Sequence, residues 1–341
     1  MKNKLVFNIF AVTLSLVLIL SGCESRIGGD DTSAASSGVP HTTASTSQHT
    51  VKDTGEPVTE TTETEPPVNV SDSPLELDIS AKQAFVYNLN KDEFLYLAGE
   101  GERLYPASTT KLLTITYALT LLSPDELITP GDELSLVGEF STVAYVRPNH
   151  TLTTEMMIEG MLLPSGNDAA HALAAAAGRK LSSAPDGITG VEAVSLFVEG
   201  MNEYAVSIGM TGTHFISPDG YPNEDHYSTV EDMARIATIA AKNELIMKYS
   251  RLREANVTYE SGHYMTWTNT NKLIHPDSGY YSPYVTGLKT GSAGDGNYSL
   301  IVTADIEGVT YVIGLFSEDQ ADTRFVDALA IIGILEELAW A

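Results

Sequence analysis

Three short strings in this chain hold the residue types needed to make and break an acyl bond. The first is Ser108-Thr109-Thr110-Lys111, preceded by Pro106-Ala107. Residues three apart share a helix face, so the Lys111 amine can reach the Ser108 hydroxyl. A serine hydroxyl is a weak nucleophile until a neighbouring base takes its proton. Lysine becomes that base only when burial or a nearby cation lowers its pKa towards neutrality. The second string, Ser165-Gly166-Asn167, follows Leu162-Leu163-Pro164 and precedes Asp168-Ala169-Ala170-His171. A loop serine can pass protons, and an asparagine amide both donates and accepts hydrogen bonds. The third is Lys289-Thr290-Gly291, after Val285-Thr286-Gly287-Leu288. A cation beside a hydroxyl suits a carboxylate-bearing substrate, and the glycine lets a ligand approach the backbone closely. Taken singly, each string is also ordinary helix, turn or strand chemistry.

The spacing of apolar residues predicts what positions these strings. A helix over 108–122 carries Leu112, Ile115, Leu119 and Leu122 on one face, with Ser108 and Lys111 in its first turn. Its N-terminus adds a positive end and free N–H groups near the serine. Helices are predicted at 154–163 and 168–177, and Pro164 ends the first, which leaves Ser165-Gly166-Asn167 on the loop between them. Further helices are predicted at 191–208, 229–241 and 321–338; Ser228-Thr229-Val230-Glu231 reads as a capping-box start for the second of these. Strands are predicted at 83–89 and 93–97 around the turn Asn90-Lys91-Asp92. Others fall at 285–289, 298–304 and 309–316, the last two joined by Glu307-Gly308. Strands at both ends with helices between them describe an α+β domain whose sheet is assembled from sequence-distant pieces.

The three strings occur in one order, on helix start, inter-helix loop and strand, and this order is the signature of penicillin-recognising serine enzymes. Tyr105-Pro106-Ala107-Ser108-Thr109-Thr110-Lys111, Leu162-Leu163-Pro164-Ser165-Gly166-Asn167-Asp168-Ala169-Ala170 and Gly287-Leu288-Lys289-Thr290-Gly291 resemble the low-molecular-mass D-alanyl-D-alanine carboxypeptidases, the S11 peptidases. Gly209-Met210-Thr211-Gly212-Thr213-His214-Phe215 and His226-Tyr227-Ser228-Thr229 extend the resemblance, which covers about 80–338. It implies a serine β-lactamase/transpeptidase-like fold, an antiparallel sheet flanked by helices plus an all-helical subdomain. It also implies that Ser108 attacks the penultimate D-alanine carbonyl of a peptidoglycan stem peptide ending in D-Ala-D-Ala, and that β-lactam antibiotics acylate the same serine. Lys111 would be the base, and Ser165 would relay a proton to the leaving amine. Asn167, Lys289, Thr290 and Gly291 would hold the substrate. The N–H groups of Ser108 and Ser292 would form the oxyanion hole. Arg324 matches a family arginine that helps bind the carboxylate. No cofactor and no metal are implied.

Two features depart from the family pattern. Ser292-Ala293-Gly294-Asp295-Gly296 follows the third string where relatives usually have an aromatic residue or His and then Thr. The chain also ends at Ala341 without the β-rich domain and amphipathic anchor that many relatives carry. Three other readings stay open. A D,D-endopeptidase would use the same machinery in a wider cleft, and a penicillin-binding sensor lipoprotein would turn over poorly. A class A β-lactamase would carry S-D-N and a glutamate loop. Here the middle residue is Gly166, and Glu192, Glu199 and Glu203 sit in an amphipathic helix pattern. His214 and His226 read as loop supports. Met156, Met157 and Met161 read as core, and Trp267, Asn269 and Asn271 read as cleft-shaping or as packing and turn residues.

Outside the catalytic unit the chain changes character. Lys2 and Lys4 precede an apolar run from Leu5 to Leu20, then Ser21-Gly22-Cys23. This is the pattern of an export signal over 1–22, and Leu20-Ser21-Gly22-Cys23 resembles a lipobox whose Cys23 would carry lipid and tether the chain to the membrane from outside. As the only cysteine, Cys23 leaves no internal disulfide. Residues 23–76 read as a lipidated start and a spacer. Of the residues from 24 to 74, 18 are Ser or Thr and none is aromatic, too little apolar surface to offset ordering. Residues 77–341 form the catalytic domain. The net charge of −26 speaks against nucleic acid as a partner, since phosphate binding needs a basic footprint.

Overall fold

The computed structural model describes residues 69–72, 74–294 and 296–340. The export signal, Cys23 and the spacer as far as residue 68 lie outside the described residues. The domain begins before residue 77. Asn69 O accepts from Phe94 N at 2.8 Å, Ser71 N donates to Phe94 O at 2.8 Å, and Leu75 N donates to Leu95 O at 2.7 Å. Leu75, Leu77 and Ile79 pack on a core cluster. A segment that reads as linker by composition is thus ordered by lying along a sheet edge, which would otherwise present unpaired N–H and C=O groups.

That edge belongs to β2 (Glu93–Ala98), which forms a hairpin with β1 (Gln83–Asn88). Far down the chain follow β7 (Val285–Ser292), β8 (Tyr298–Ile306) and β9 (Val309–Glu318). The five make one antiparallel sheet in the order β2-β1-β9-β8-β7. The β8–β9 turn places Glu307 and Gly308 at φ 49° and 80°, the left-handed pair that suits strand twist. Both sheet faces are covered, so the strands read as near-continuous apolar runs. Ala84, Val86, Val302, Ile313 and Leu315 face α7 (Thr323–Ala339), while Phe85, Leu288, Ile301 and Phe316 face the helical half.

The helical half holds α1 (Lys111–Ala118), α2 (Thr154–Leu162), α3 (Asn167–Leu181), α4 (Gly190–Ser207), α5 (Val230–Ala241) and α6 (Glu244–Ser250). It also holds the short ladders β3 (Leu127–Ile128) with β4 (Leu152–Thr153) and β5 (Glu254–Thr258) with β6 (Tyr264–Thr268). Met157 and Met161 are fully buried in this core and Met156 packs at its border. The first predicted helix begins differently, as a 3-10 turn over Ala107–Thr110 that runs into α1. The cap of α5 is one residue later than the capping-box pattern suggests. Thr229, not Ser228, accepts from Asp232 N, and Glu231 turns away to accept from Gly101 N. A true capping box forms on α4, between Thr189 and Glu192. Neither α6 nor the β5–β6 hairpin stands out in the sequence. The first is seven residues long and depends on Asn243 capping Leu245 and Ile246, and the second buries only Val257 and Trp267 of its ten residues.

Where α7 crosses the end of β9, two carboxyl groups meet in the core. Asp327 accepts from the Ser80 and Ala81 N–H groups at 2.6 and 3.1 Å. Burial, with the Asp327 charge beside it, pushes the fully buried Glu318 up to about 8. The folded chain therefore keeps a proton at Glu318 that the unfolded chain releases near its ordinary value. With more protons bound in the native state, stability falls as pH rises between about 4.5 and 8. Glu318→Gln is expected to flatten that decline and to add at least about 1 kcal/mol near pH 8, or about 2–4 °C in thermal unfolding. An unchanged slope would assign the proton to another group.

Candidate active site

Ser108 sits on a constrained turn. Ala107 before it has φ 52°, a left-handed conformation rare for a residue with a side chain. The turn is held from several sides. Pro106 O accepts from Thr109 N at 3.2 Å, Thr109 Oγ1 at 2.6 Å and Ser299 Oγ at 3.1 Å. Gly220 closes on it so tightly that a Cβ there would lie 1.8 Å from Ala107 O. Beneath it, the buried His226 reaches Thr110. Ile216 N donates to His226 Nδ1 at 3.3 Å, so Nε2 carries the proton and donates to Thr110 Oγ1 at 2.9 Å. Burial pushes His226 down to about 4, which keeps this tautomer neutral. His214 holds a loop through Nδ1 and Asp225 O, 2.7 Å apart. Both histidines are structural supports, as their sequence context suggests.

Lys111 lies wholly buried one turn from Ser108. Its Nζ makes three contacts: Ser108 Oγ at 2.9 Å, Asn167 Oδ1 at 2.7 Å and the Asp219 main-chain oxygen at 2.8 Å. Burial lowers its pKa to about 8, against the opposing charges of Asp219 and Asp168. Two of the three partners are oxygens that can only accept. A neutral amine has two N–H groups for them, and its lone pair is then left facing the Ser108 hydroxyl, which becomes the donor.

The loop triplet comes to the same place. Ser165 has φ 62°, Thr142 Oγ1 donates to its carbonyl at 2.8 Å, and Asn167 N donates to Thr142 O at 2.9 Å. The next residue, Asp168, is buried and its carboxylate accepts from Ala144 N and Val146 N at 2.7 and 2.9 Å. This pins the 138–146 segment that forms one wall of the cleft. Trp267 Nε1 donates to Ala144 O at 3.0 Å, so Trp267 braces this wall from behind. Asn269 and Asn271 likewise bind main-chain groups.

The third string supplies the opposite wall. Lys289 Nζ donates to Ser165 Oγ at 2.8 Å and to Thr290 O at 2.9 Å. Burial, then the charges of Lys111 and Arg324, holds its pKa well below the ordinary lysine value. Gly291 has a neighbour other than the one its type suggests. A Cβ there would meet Ser299 Oγ at 2.1 Å and Pro106 O at 2.9 Å, so the glycine allows β7 to close on the Ser108 turn. Arg324, at the start of α7, reaches back to the sheet. Its Nη1 donates to Gly291 O and to Ser299 O, and burial lowers its pKa to about 10. Ser108, Ser165, Asn167, Thr290, Ser292 and Arg324 line one cavity of about 500 Å³, with Lys111 and Lys289 beneath its floor.

Three groups here escape motif reading. Thr270 Oγ1 lies 2.6 Å from Thr290 Oγ1, Ser141 Oγ accepts from Asn167 Nδ2 at 3.0 Å, and Asp219 offers its carbonyl to Lys111. Only the last has a local signal, the turn-forming Ser217-Pro218-Asp219-Gly220. The glutamates that a β-lactamase reading would need, Glu192, Glu199 and Glu203, are exposed on α4 and none lines the cavity. Among the described residues no cluster of acidic, histidine or cysteine side chains could hold a metal ion. Arg324→Met should fill the volume yet leave Gly291 O and Ser299 O without their donor. The expected cost is about 2 kcal/mol, read as a fall of about 4–8 °C in thermal unfolding. An unchanged midpoint would mean that other donors satisfy these carbonyls.

The comparisons with known proteins agree on one family. A family model described as D-alanyl-D-alanine carboxypeptidase matches residues 68–317. The D-alanyl-D-alanine carboxypeptidase DacF of Bacillus subtilis is 31% identical over 263 residues, which is 74% of this chain and 62% of that protein. The chain thus spans about three fifths of the length of that relative. A D-alanyl-D-alanine carboxypeptidase of Streptomyces is 29% identical over 74% of this chain and 86% of its own. The crystal structure of a Streptomyces DD-transpeptidase superposes with a TM-score of 0.66 at 29% identity, over 76% of this chain and 98% of that one. A penicillin-binding protein of Listeria monocytogenes, solved in its ampicillin-bound form, shares the fold with a TM-score of 0.60 at 24% identity. With a serine transpeptidase-like sheet and helical half in place, and a family match over most of its length, the chain belongs to the D-alanyl-D-alanine carboxypeptidase family, the S11 peptidases.

Proposed function

We propose that this protein is a serine D,D-carboxypeptidase that removes the terminal D-alanine from peptidoglycan stem peptides and is acylated by penicillins at the same serine. One observation carries the reading: the buried Lys111 amine lies 2.9 Å from Ser108 Oγ, with two acceptor-only oxygens on its other sides. The base is thereby oriented before substrate arrives. Ser108 Oγ attacks the penultimate carbonyl, its proton passes to Lys111 Nζ, and the oxyanion is received by the N–H groups of Ser108 and Ser292. Ser165, hydrogen-bonded to Lys289, relays a proton to the leaving D-alanine amine, and Asn167 holds the acyl side. Thr290 receives the substrate carboxylate in the field of Lys289 and Arg324. Water attacks the acyl-enzyme and releases the shortened peptide.

The same acyl-enzyme serves a transpeptidase or endopeptidase when an amine replaces water or the leaving group is a cross-linked strand. The Streptomyces structure named a DD-transpeptidase favours keeping that outcome in the assay. Incubating residues 69–341 with diacetyl-Lys-D-Ala-D-Ala should release D-alanine, and benzylpenicillin should add one penicilloyl mass. Ser108→Ala should lose both by at least about a thousandfold while keeping its thermal midpoint. An adduct without D-alanine release would favour the endopeptidase or sensor, and fast penicillin loss without an adduct would favour a β-lactamase.

We extend the proposal to location. The signal over 1–22 and Cys23 support an extracytoplasmic enzyme held to the membrane by N-terminal lipid. Cys23→Ser should move the protein from the membrane to the soluble fraction, and a variant still membrane-bound and lipid-labelled would end the anchor assignment.

A further inference from the structure

We propose that His171 and Asp219 form a buried acid–imidazole pair that positions Lys111, fixing both where its amine points and the pH at which it becomes a base. The inference rests on the reading of Lys111 as the general base. Neither residue belongs to the three strings. His171 lies on α3 one turn beyond Asn167, and Asp219 lies in the segment that closes over the Ser108 turn. The His171 Nε2 and Asp219 Oδ2 atoms are 3.3 Å apart, with side chains 4% and 0% exposed. The Asp219 carboxylate also accepts from Ser217 Oγ at 2.6 Å and Tyr221 N at 3.0 Å. Helix α3 and the 217–221 loop therefore hold this side chain between them, while its own main-chain oxygen takes an N–H of Lys111 at 2.8 Å.

This arrangement couples position to charge. Asp219 is locked by its side chain, so its carbonyl is locked too, and the lone pair of Lys111 stays directed at Ser108. Burial pushes the Asp219 carboxyl up, but His171, Lys111 and Ser217 more than reverse this and keep it ionised. An ionised carboxylate in a dry site stabilises the protonated form of the nearby Lys111. His171 opposes that effect by engaging the carboxylate from the other side. The remaining groups around the pair are Asp168 in the first turn of α3, Lys289 on β7 and the neutral His226. Of the other buried acids on elements packed against α3, Glu133 accepts from Gly131 N, and Glu159 lies in the opposing fields of Glu155 and Lys248.

The test is the pH profile of acylation by a fluorescent penicillin, measured on the full catalytic domain and on three variants. Asp219→Asn keeps the carbonyl and the Oδ1 acceptor but removes the charge. Its acid limb should move down by about one pH unit, a change of about tenfold in the proton affinity of Lys111. His171→Leu leaves the carboxylate opposed only by Lys111, and the limb should move up. His171→Gln retains a donor to Asp219 and should restore most of the wild-type profile. Opposite movements in the first two variants support the pair. A limb that stays at the wild-type pH in Asp219→Asn, or both limbs moving the same way, would overturn it even where overall rates fall. A wild-type domain that is never acylated would remove both this inference and the reading beneath it.

Discussion

A lysine with no exposed surface and no carboxylate in contact with its nitrogen is the constraint on which the rest of this molecule depends. Burying an ammonium without a counter-ion is costly, and the usual response is loss of the proton. Burial draws the Lys111 pKa down to about 8, because its partners are a serine hydroxyl, an amide oxygen and a peptide oxygen and not a carboxylate. These groups come from three parts of the chain, the turn that leads into α1, the start of α3 and the 217–221 segment, so this environment of Lys111 exists only when those parts are docked. The turn at Ala107, the closure of Gly220 upon it and the His226 link to Thr110 all act to keep that docking tight.

The site also sets buried positive charge in a strongly acidic molecule. The chain carries a net charge of −26, yet Lys111, Lys289 and Arg324 meet around one cavity. No carboxylate touches their nitrogens, and burial with mutual repulsion lowers the proton affinity of Lys289. Main-chain oxygens hold them instead: Asp219 O for Lys111, Thr290 O for Lys289, and Gly291 O with Ser299 O for Arg324. Dipoles hold these basic groups in place without a counter-ion, which leaves the site open to an anionic ligand. A carboxylate entering between Thr290 and Ser165 would be the one group in the cavity able to satisfy it.

Sheet and helices meet at this cavity through close backbone approach. Gly291 allows β7 to press on Pro106, and Ser299 on β8 bonds to the same carbonyl. Asp168 ties the 138–146 wall to the helix that carries Asn167. The small residues and the left-handed positions at Ala107 and Ser165 follow from geometry, since a catalytic turn approached from both halves has no room for ordinary helix or strand backbone.

Much of this was legible in the residues themselves. Ser108 and Lys111 are local to one another, and so are Ser165 with Asn167 and Lys289 with Thr290; helical and strand periodicities are likewise short-range, so both strings and elements could be read along the chain. What could not be read there is whatever depends on a neighbour distant in sequence. Residues 69–72 and 74–76 are linker by composition and are drawn along the sheet by main-chain hydrogen bonds only because an edge lies beside them. The main-chain partners of Arg324 are 25 and 33 positions away, and only the fold brings the carbonyls of β7 and β8 to it. His171 and Asp219 are 48 positions apart, and nothing in either neighbourhood marks them as partners. Sequence alone determined which groups are candidates for the chemistry, because their types and spacing are covalent facts. Only the tertiary structure decided their protonation and aim, because both arise from burial and from contacts made across the fold.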